Sequence, residues 1–126
     1  MIRLARCFGL ALIAFLSLPA AAQDTAFATW NAGNCCGGAR DQNVDDVGFI
    51  RQIVANLTRQ MNVDRQRIYA TGMSNGGLMS YRLACEMSDV FKAIAPVAGT
   101  DNTRSCTPKQ PVAVLHIHAR NDTHVL

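Results

Sequence analysis

Gly72-Met73-Ser74-Asn75-Gly76-Gly77 decides how this 126-residue chain is read. The hexapeptide follows Arg67-Ile68-Tyr69-Ala70-Thr71, a run with strand character that stops abruptly at Gly72. It precedes a helical pattern that starts near Asn75 and carries Leu78, Met79, Leu83 and Ala84 towards Glu86. G-x-S-x-G between a strand and a helix predicts a sharp turn that pushes the serine hydroxyl out at the carboxyl edge of a sheet. Close approach of strand and helix is expected to leave room only for glycine two positions on either side, at Gly72 and Gly76. The helix N-terminus offers free N–H groups and a partial positive charge to a developing oxyanion, with the Asn75 N–H as the nearest donor. Ser74 is therefore a candidate nucleophile; the bland alternative is a glycine-rich turn without chemistry.

Outward from this turn the pattern stays that of an α/β chain. Upstream, Asp45 can cap a helix in which Val47, Ile50, Ile53, Val54, Leu57 and Met61 fall at i, i+3, i+4 and i+7 spacings and form one apolar face. Before it lies a loop rich in Gly, Asn and Cys, from Trp30 to Gly38. Downstream, Ala93 to Ala98 and Val112 to Ile117 are short, near-continuous apolar runs, as expected of strands covered on both faces in a parallel sheet. The segment from Gly99 to Pro111 is a loop with room for a short helix. The expected order is helix, strand, helix, strand, strand.

Composition narrows the function. The chain is 49% hydrophobic and 17% charged, an ordinary globular balance that fits one domain at most. Residues 1–22 read as a secretory signal peptide: Arg3 and Arg6, then an apolar run from Cys7 to Leu18, then Ala20-Ala21-Ala22. About 12 apolar residues reach about 18 Å as a helix, short of the roughly 30 Å hydrocarbon core. Residues 23–126 are thus expected to be secreted, extracellular or periplasmic, with no membrane contact after cleavage. With Arg3 and Arg6 set aside, ten Lys and Arg, scattered singly, face nine Asp and Glu, which excludes a polyanion binder such as a nucleic-acid-binding protein. In an oxidising compartment Cys35, Cys36, Cys85 and Cys106 can pair. Cys85 with Cys106 is the first expectation, and the neighbours Cys35 and Cys36 are expected to reach elsewhere or leave one thiol free.

A nucleophilic serine needs a base and an orienting carboxylate, which in α/β-hydrolases follow it in the order Ser, acid, His. Asp122 fits the acid, four residues after the apolar run that ends at His118; the alternative is a solvated turn aspartate. Asp45 and Asp46 are better explained as a helix start. His116 and His118 share one strand face but precede the acid, so they read as structural residues near the site. His124 is two residues from Asp122 on the same loop, a poor place for a base. A metal site at His116, His118, Asp122 and His124 matches no ligand spacing that geometry justifies.

Five ordered blocks carry a resemblance: Trp30-Asn31-Ala32-Gly33-Asn34-Cys35-Cys36-Gly37, Val44-Asp45-Asp46-Val47-Gly48-Phe49, Gly72 to Gly77, Ala95-Pro96-Val97-Ala98-Gly99, and Leu115-His116-Ile117-His118. Together, from about Trp30 to Val125, the chain resembles the secreted polyhydroxybutyrate depolymerase and feruloyl esterase family. The resemblance implies an α/β-hydrolase with a three-layer, mostly parallel sheet and no metal or organic cofactor. It implies Ser74 as nucleophile, Asp122 as acid and a carboxylic ester hydrolase acting on a polyester or polysaccharide ester. The first expectation is a polyhydroxyalkanoate. The alternatives are a feruloyl or acetylxylan esterase, a remnant that binds acyl or polymer chains without turnover, and a disulfide-stapled interaction protein. Family members carry strands and a second oxyanion donor before the Trp30 block, and their catalytic histidine lies further downstream. A partial α/β-hydrolase lacking the N-terminal strands and the C-terminal portion is therefore expected, with the Ile68 to Thr71 strand as an open edge. His118-Ala119 stands where the family usually has His-Gly.

Overall fold

The computed structural model describes residues 28–125; the proposed signal segment 1–22 lies outside them. Six elements follow one another: α1 (Gly37–Asp41), α2 (Asp46–Gln60), β1 (Tyr69–Met73), α3 (Asn75–Glu86), β2 (Ala93–Val97) and β3 (Ala113–Val114). The strands form one parallel sheet in the order β1-β2-β3. Tyr69 pairs with Ala93 and the register runs on to Met73 opposite Val97, while Ala93 and Ile94 face Ala113 and Val114. This is a partial α/β-hydrolase fold: a short parallel sheet entered from α2, its first two strands joined through α3.

Local chemistry explains where the helices begin. The Asp45 carboxylate accepts the Gly48 N–H at 2.9 Å, capping α2 as its position anticipates. Asp46, buried in the first turn, accepts the Asn31 N–H at 2.7 Å and so ties the Trp30 loop to the helix. That loop is not wholly irregular, since Gly37 to Asp41 coils into α1. Gly99 to Pro111, in contrast, holds no helix.

The core lies on one side of the sheet. Leu78, Met79 and Leu83 of α3 pack with Met87, Phe91, Ala32 and Val47, and Ile50 and Val54 of α2 border the cluster. The register puts Ala70 and Gly72 of β1 and Ile94 and Pro96 of β2 on the face that α3 covers. Tyr69, Thr71 and Met73 point the other way and are exposed, Met73 at 72%. The covering on both faces expected of the Ala93 to Ala98 and Val112 to Ile117 runs does not hold: β3 is exposed and β2 is fully buried on one face only, because among the described residues α3 supplies the one covering layer. The apolar face expected on α2 is likewise divided. Val47, Ile50 and Val54 meet the core, whereas Ile53, Leu57 and Met61 remain exposed. No helix among the described residues is long and apolar enough to cross a membrane.

The third strand is shorter than its apolar run, Val112 to Ile117. Pairing lapses after Val114 and resumes as a single bridge between Val97 and Ile117. Pro96 lies opposite the gap. Its carbonyl accepts the Ile117 N–H at 3.0 Å, but the ring nitrogen has no proton to return to β3. The Ala98 N–H donates to the Ile117 carbonyl at 2.8 Å and restores the pairing beyond it.

Both cysteine pairs are formed. Cys85 and Cys106 are bonded as expected, with Cα atoms 5.1 Å apart. A closure of this length stabilises by about 3 kcal/mol through the entropy it removes from the unfolded chain. Cys35 and Cys36 are bonded to each other, contrary to expectation. The peptide between them is cis and brings their Cα atoms to 3.0 Å, a geometry that spacing alone does not announce.

Candidate active site

β1 ends at Met73 and α3 begins at Asn75, so Ser74 alone makes the turn. Its φ of 52° and ψ of −119° lie where a side chain is rarely tolerated. The surroundings hold it there: the Ser74 N–H donates to the Val97 carbonyl at 2.9 Å, and its own carbonyl accepts the Leu78 N–H at 3.0 Å. The first bond anchors the turn to β2 and the second starts the helix. Ser74 is exposed, and its side chain does not cap α3.

Space around the turn demands glycine at one flank only. A Cβ on Gly72 would come within 2.5 Å of the Gly76 carbonyl carbon and oxygen, and backbone cannot yield as a side-chain tip does. A Cβ on Gly76 would meet nothing within 4 Å, which corrects the expectation that both positions are sterically closed. The second close approach is instead at Gly99, where a Cβ would sit 2.7 Å from the Leu78 nitrogen and 2.8 Å from the Gly77 backbone. Gly72→Ala is therefore expected to destabilise the fold by about 1–3 kcal/mol. Gly76→Ala should be neutral or stabilising by up to about 1 kcal/mol, as in any helix. Chemical denaturation of the two variants separates them; equal losses would contradict the asymmetry.

Asn75 occupies the first position of α3, where the backbone N–H has no partner within the helix and points outward. Its side chain has a task not foreseen from the sequence. Asn75 Oδ1 accepts the Trp30 N–H at 2.6 Å and Nδ2 donates to the Trp30 carbonyl at 3.0 Å. One amide thus grips both polar groups of one backbone residue and fastens the Trp30 loop beside the turn. The only hint in the sequence is an Asn between Ser74 and two glycines, which does not identify a partner 45 residues away.

Asp122 follows β3 on the edge of the sheet that also carries Ser74. Its Oδ1 accepts the backbone N–H groups of His124 at 2.8 Å and Val125 at 3.0 Å, closing a tight loop. Asp122 Oδ2 lies 3.3 Å from His118 Nε2. A carbonyl oxygen only accepts, so His118 Nε2 carries a proton and donates it to the Val125 carbonyl at 2.8 Å. The Val125 N–H, then the His124 N–H, then the neighbouring histidines hold the Asp122 carboxyl below the ordinary aspartate range. Because the folded value is the lower one, the resulting stabilisation is present above the unfolded pKa and is lost as pH falls through the folded pKa. A carbon NMR titration should place the Asp122 midpoint below that of an unstructured aspartate. A midpoint at or above that value would contradict the bonded loop.

The histidines serve the frame. His116 stacks on His118 with ring centres 5.2 Å apart, and its Nδ1 lies 2.9 Å from the Tyr81 hydroxyl of α3. Burial, and secondarily the charge of Asp101, pushes the Tyr81 phenol up, so it keeps a proton to share with His116. This joins the helix that follows Ser74 to the segment that leads from β3 to Asp122. His124 Nδ1 faces its neighbour Thr123 at 3.3 Å. All three rings thus engage groups other than Ser74. Among the described residues, the atoms close enough together to grip a metal ion are those of Cys85, Asp101 and Cys106, and both thiols are already spent in a disulfide.

A parallel strand, a serine held at positive φ and a helix starting behind it form the strand–turn–helix arrangement of the α/β-hydrolase class. The chain belongs to the prolyl oligopeptidase family, whose model matches residues 39–110. It is 35% identical over 121 residues to feruloyl esterase B of Piromyces equi, an alignment covering 92% of this chain and 21% of that protein. Over 81 residues it is 28% identical to a bifunctional acetylxylan esterase/xylanase of Neocallimastix patriciarum, covering 64% and 12%. Feruloyl esterase C of Emericella nidulans is 36% identical over 85 residues, covering 68% and 32%. The chain therefore spans about a third or less of the length of these relatives. They are esterases of the feruloyl and acetylxylan type, which narrows the resemblance away from its polyhydroxybutyrate half.

Proposed function

We propose that the chain carries the nucleophile and the acid of a carboxylic ester hydrolase acting on feruloyl or acetyl esters of polysaccharides. The observation that carries this reading is the exposed Ser74 at φ 52°, bonded through its N–H to β2 and backed by the start of α3. In the reaction the Ser74 hydroxyl attacks the acyl carbon while its proton passes to a base, and the Asn75 N–H stabilises the oxyanion that forms. Asp122, kept ionised by two backbone N–H groups, orients that base and stabilises its charged form. The named relatives favour polysaccharide esters over polyhydroxyalkanoates. The position of these groups outside the cell remains part of the proposal, resting on residues 1–22.

A substrate panel tests the class. In a protein that also supplies the base, methyl ferulate and acetylated xylan should be cleaved in preference to a polyhydroxybutyrate film, with release that disappears in Ser74→Ala. Preferential solubilisation of the film would overturn the substrate assignment while leaving the serine chemistry intact. Binding of xylan with no Ser74-dependent release would favour a binding role.

A further inference from the structure

At the opposite edge of the sheet from Ser74 lies a groove of about 390 Å³, formed where α2 passes the segment leading into β1 and the turn between α3 and β2. Ile68 precedes β1 and Ser74 follows it, so the strand's five residues, about 17 Å, separate the groove from the elbow. Three guanidinium groups line it: Arg51 and Arg59 from α2, and Arg65. Val54, Ile68 and Val90 supply apolar walls, and Asp89 is the single carboxylate.

The three arginines are not equivalent. Arg51 is committed, with Nη1 3.4 Å from Asp89 Oδ2 and Nη2 donating to the Glu86 carbonyl at 3.2 Å. Arg59 spends one N–H on the Asn56 side chain, and both Arg59 and Arg65 are exposed. A guanidinium presents five donors in a planar fork that suits a carboxylate, and it stays charged at every accessible pH. With Asp89 facing Arg51, the charges of Arg59 and Arg65 have no lining carboxylate of their own. The apolar walls offer no hydrogen bonds and gain from covering by carbon.

We propose that this groove binds a small organic carboxylate, its charge held by Arg59 and Arg65 and its apolar body lying on Val54, Ile68 and Val90. The site is independent of the ester chemistry assigned to Ser74. Titrating the full chain with sodium trans-cinnamate at pH 7, followed by amide NMR, tests it. Saturable shifts are expected at Arg65, Ile68 and Val90, with affinity at least tenfold weaker in the double variant Arg59→Gln, Arg65→Gln. Both side chains are exposed, so the variant should keep the wild-type amide spectrum elsewhere. Cinnamyl alcohol and inorganic phosphate, which lack the charge and the apolar body respectively, should each bind at least tenfold more weakly than cinnamate. Unchanged affinity in the double variant, equal binding of either control compound, or shifts centred on Ser74 and Asn75 would overturn the proposal.

Discussion

Ser74→Ala is expected to reduce ester turnover by about 10⁶-fold where all the reacting groups are assembled, leaving only what the oxyanion donors and substrate binding supply. The size follows from the role: without the hydroxyl no acyl-enzyme forms, and the remaining N–H donors can only polarise the carbonyl. The fold should survive the change. Ser74 makes no side-chain capping bond, and its backbone bonds to Val97 and Leu78 do not need the hydroxyl. Loss of activity with an unchanged unfolding transition is therefore expected. Retention of turnover would move the nucleophile elsewhere.

Asp122→Asn should lower turnover by about 10⁴-fold, the cost of losing the charge that fixes and stabilises the base. An asparagine oxygen can still accept from the His124 and Val125 N–H groups, so the loop should keep its shape. Asp122→Ala removes the acceptor as well and should release those amides to hydrogen exchange. The pair of variants thus separates the electrostatic role from the structural one. If both kept wild-type rates, Asp122 would be a loop aspartate and nothing more. If Asp122→Asn also freed the amides, its effect on rate would no longer report on charge alone.

The parts of this molecule that were legible beforehand obey local rules. The Asp45 cap, the strand before Gly72 and the helix after Ser74 all follow from spacing and turn chemistry within about ten residues. Cys85 to Cys106 was legible for a similar reason, as the pairing that closes a short loop. What was hidden depends on partners distant in the chain. The Asn75 side chain finds Trp30, and Gly99 rather than Gly76 is held against backbone. The run Val112 to Ile117 predicts a strand covered on both faces, yet β3 is exposed, because an apolar run does not reveal how many layers cover it. Pro96 shortened β3 through a missing proton, an effect visible only once the neighbouring strand is known. Cys35 and Cys36 are expected apart on the general ground that a bridge between neighbouring cysteines is strained, and the structure pairs them nonetheless.

The most direct measurement is covalent capture by a fluorophosphonate, followed by fragmentation of the tryptic peptide Ile68 to Arg82. That peptide contains Ser74 and also Ser80, which is buried and donates its hydroxyl to the Gly76 carbonyl at 2.9 Å. We expect the phosphonyl mass on Ser74 alone, and none in Ser74→Ala. An adduct on Ser80, or on any residue in preference to Ser74, would contradict the outward-turned nucleophile on which the hydrolase reading rests.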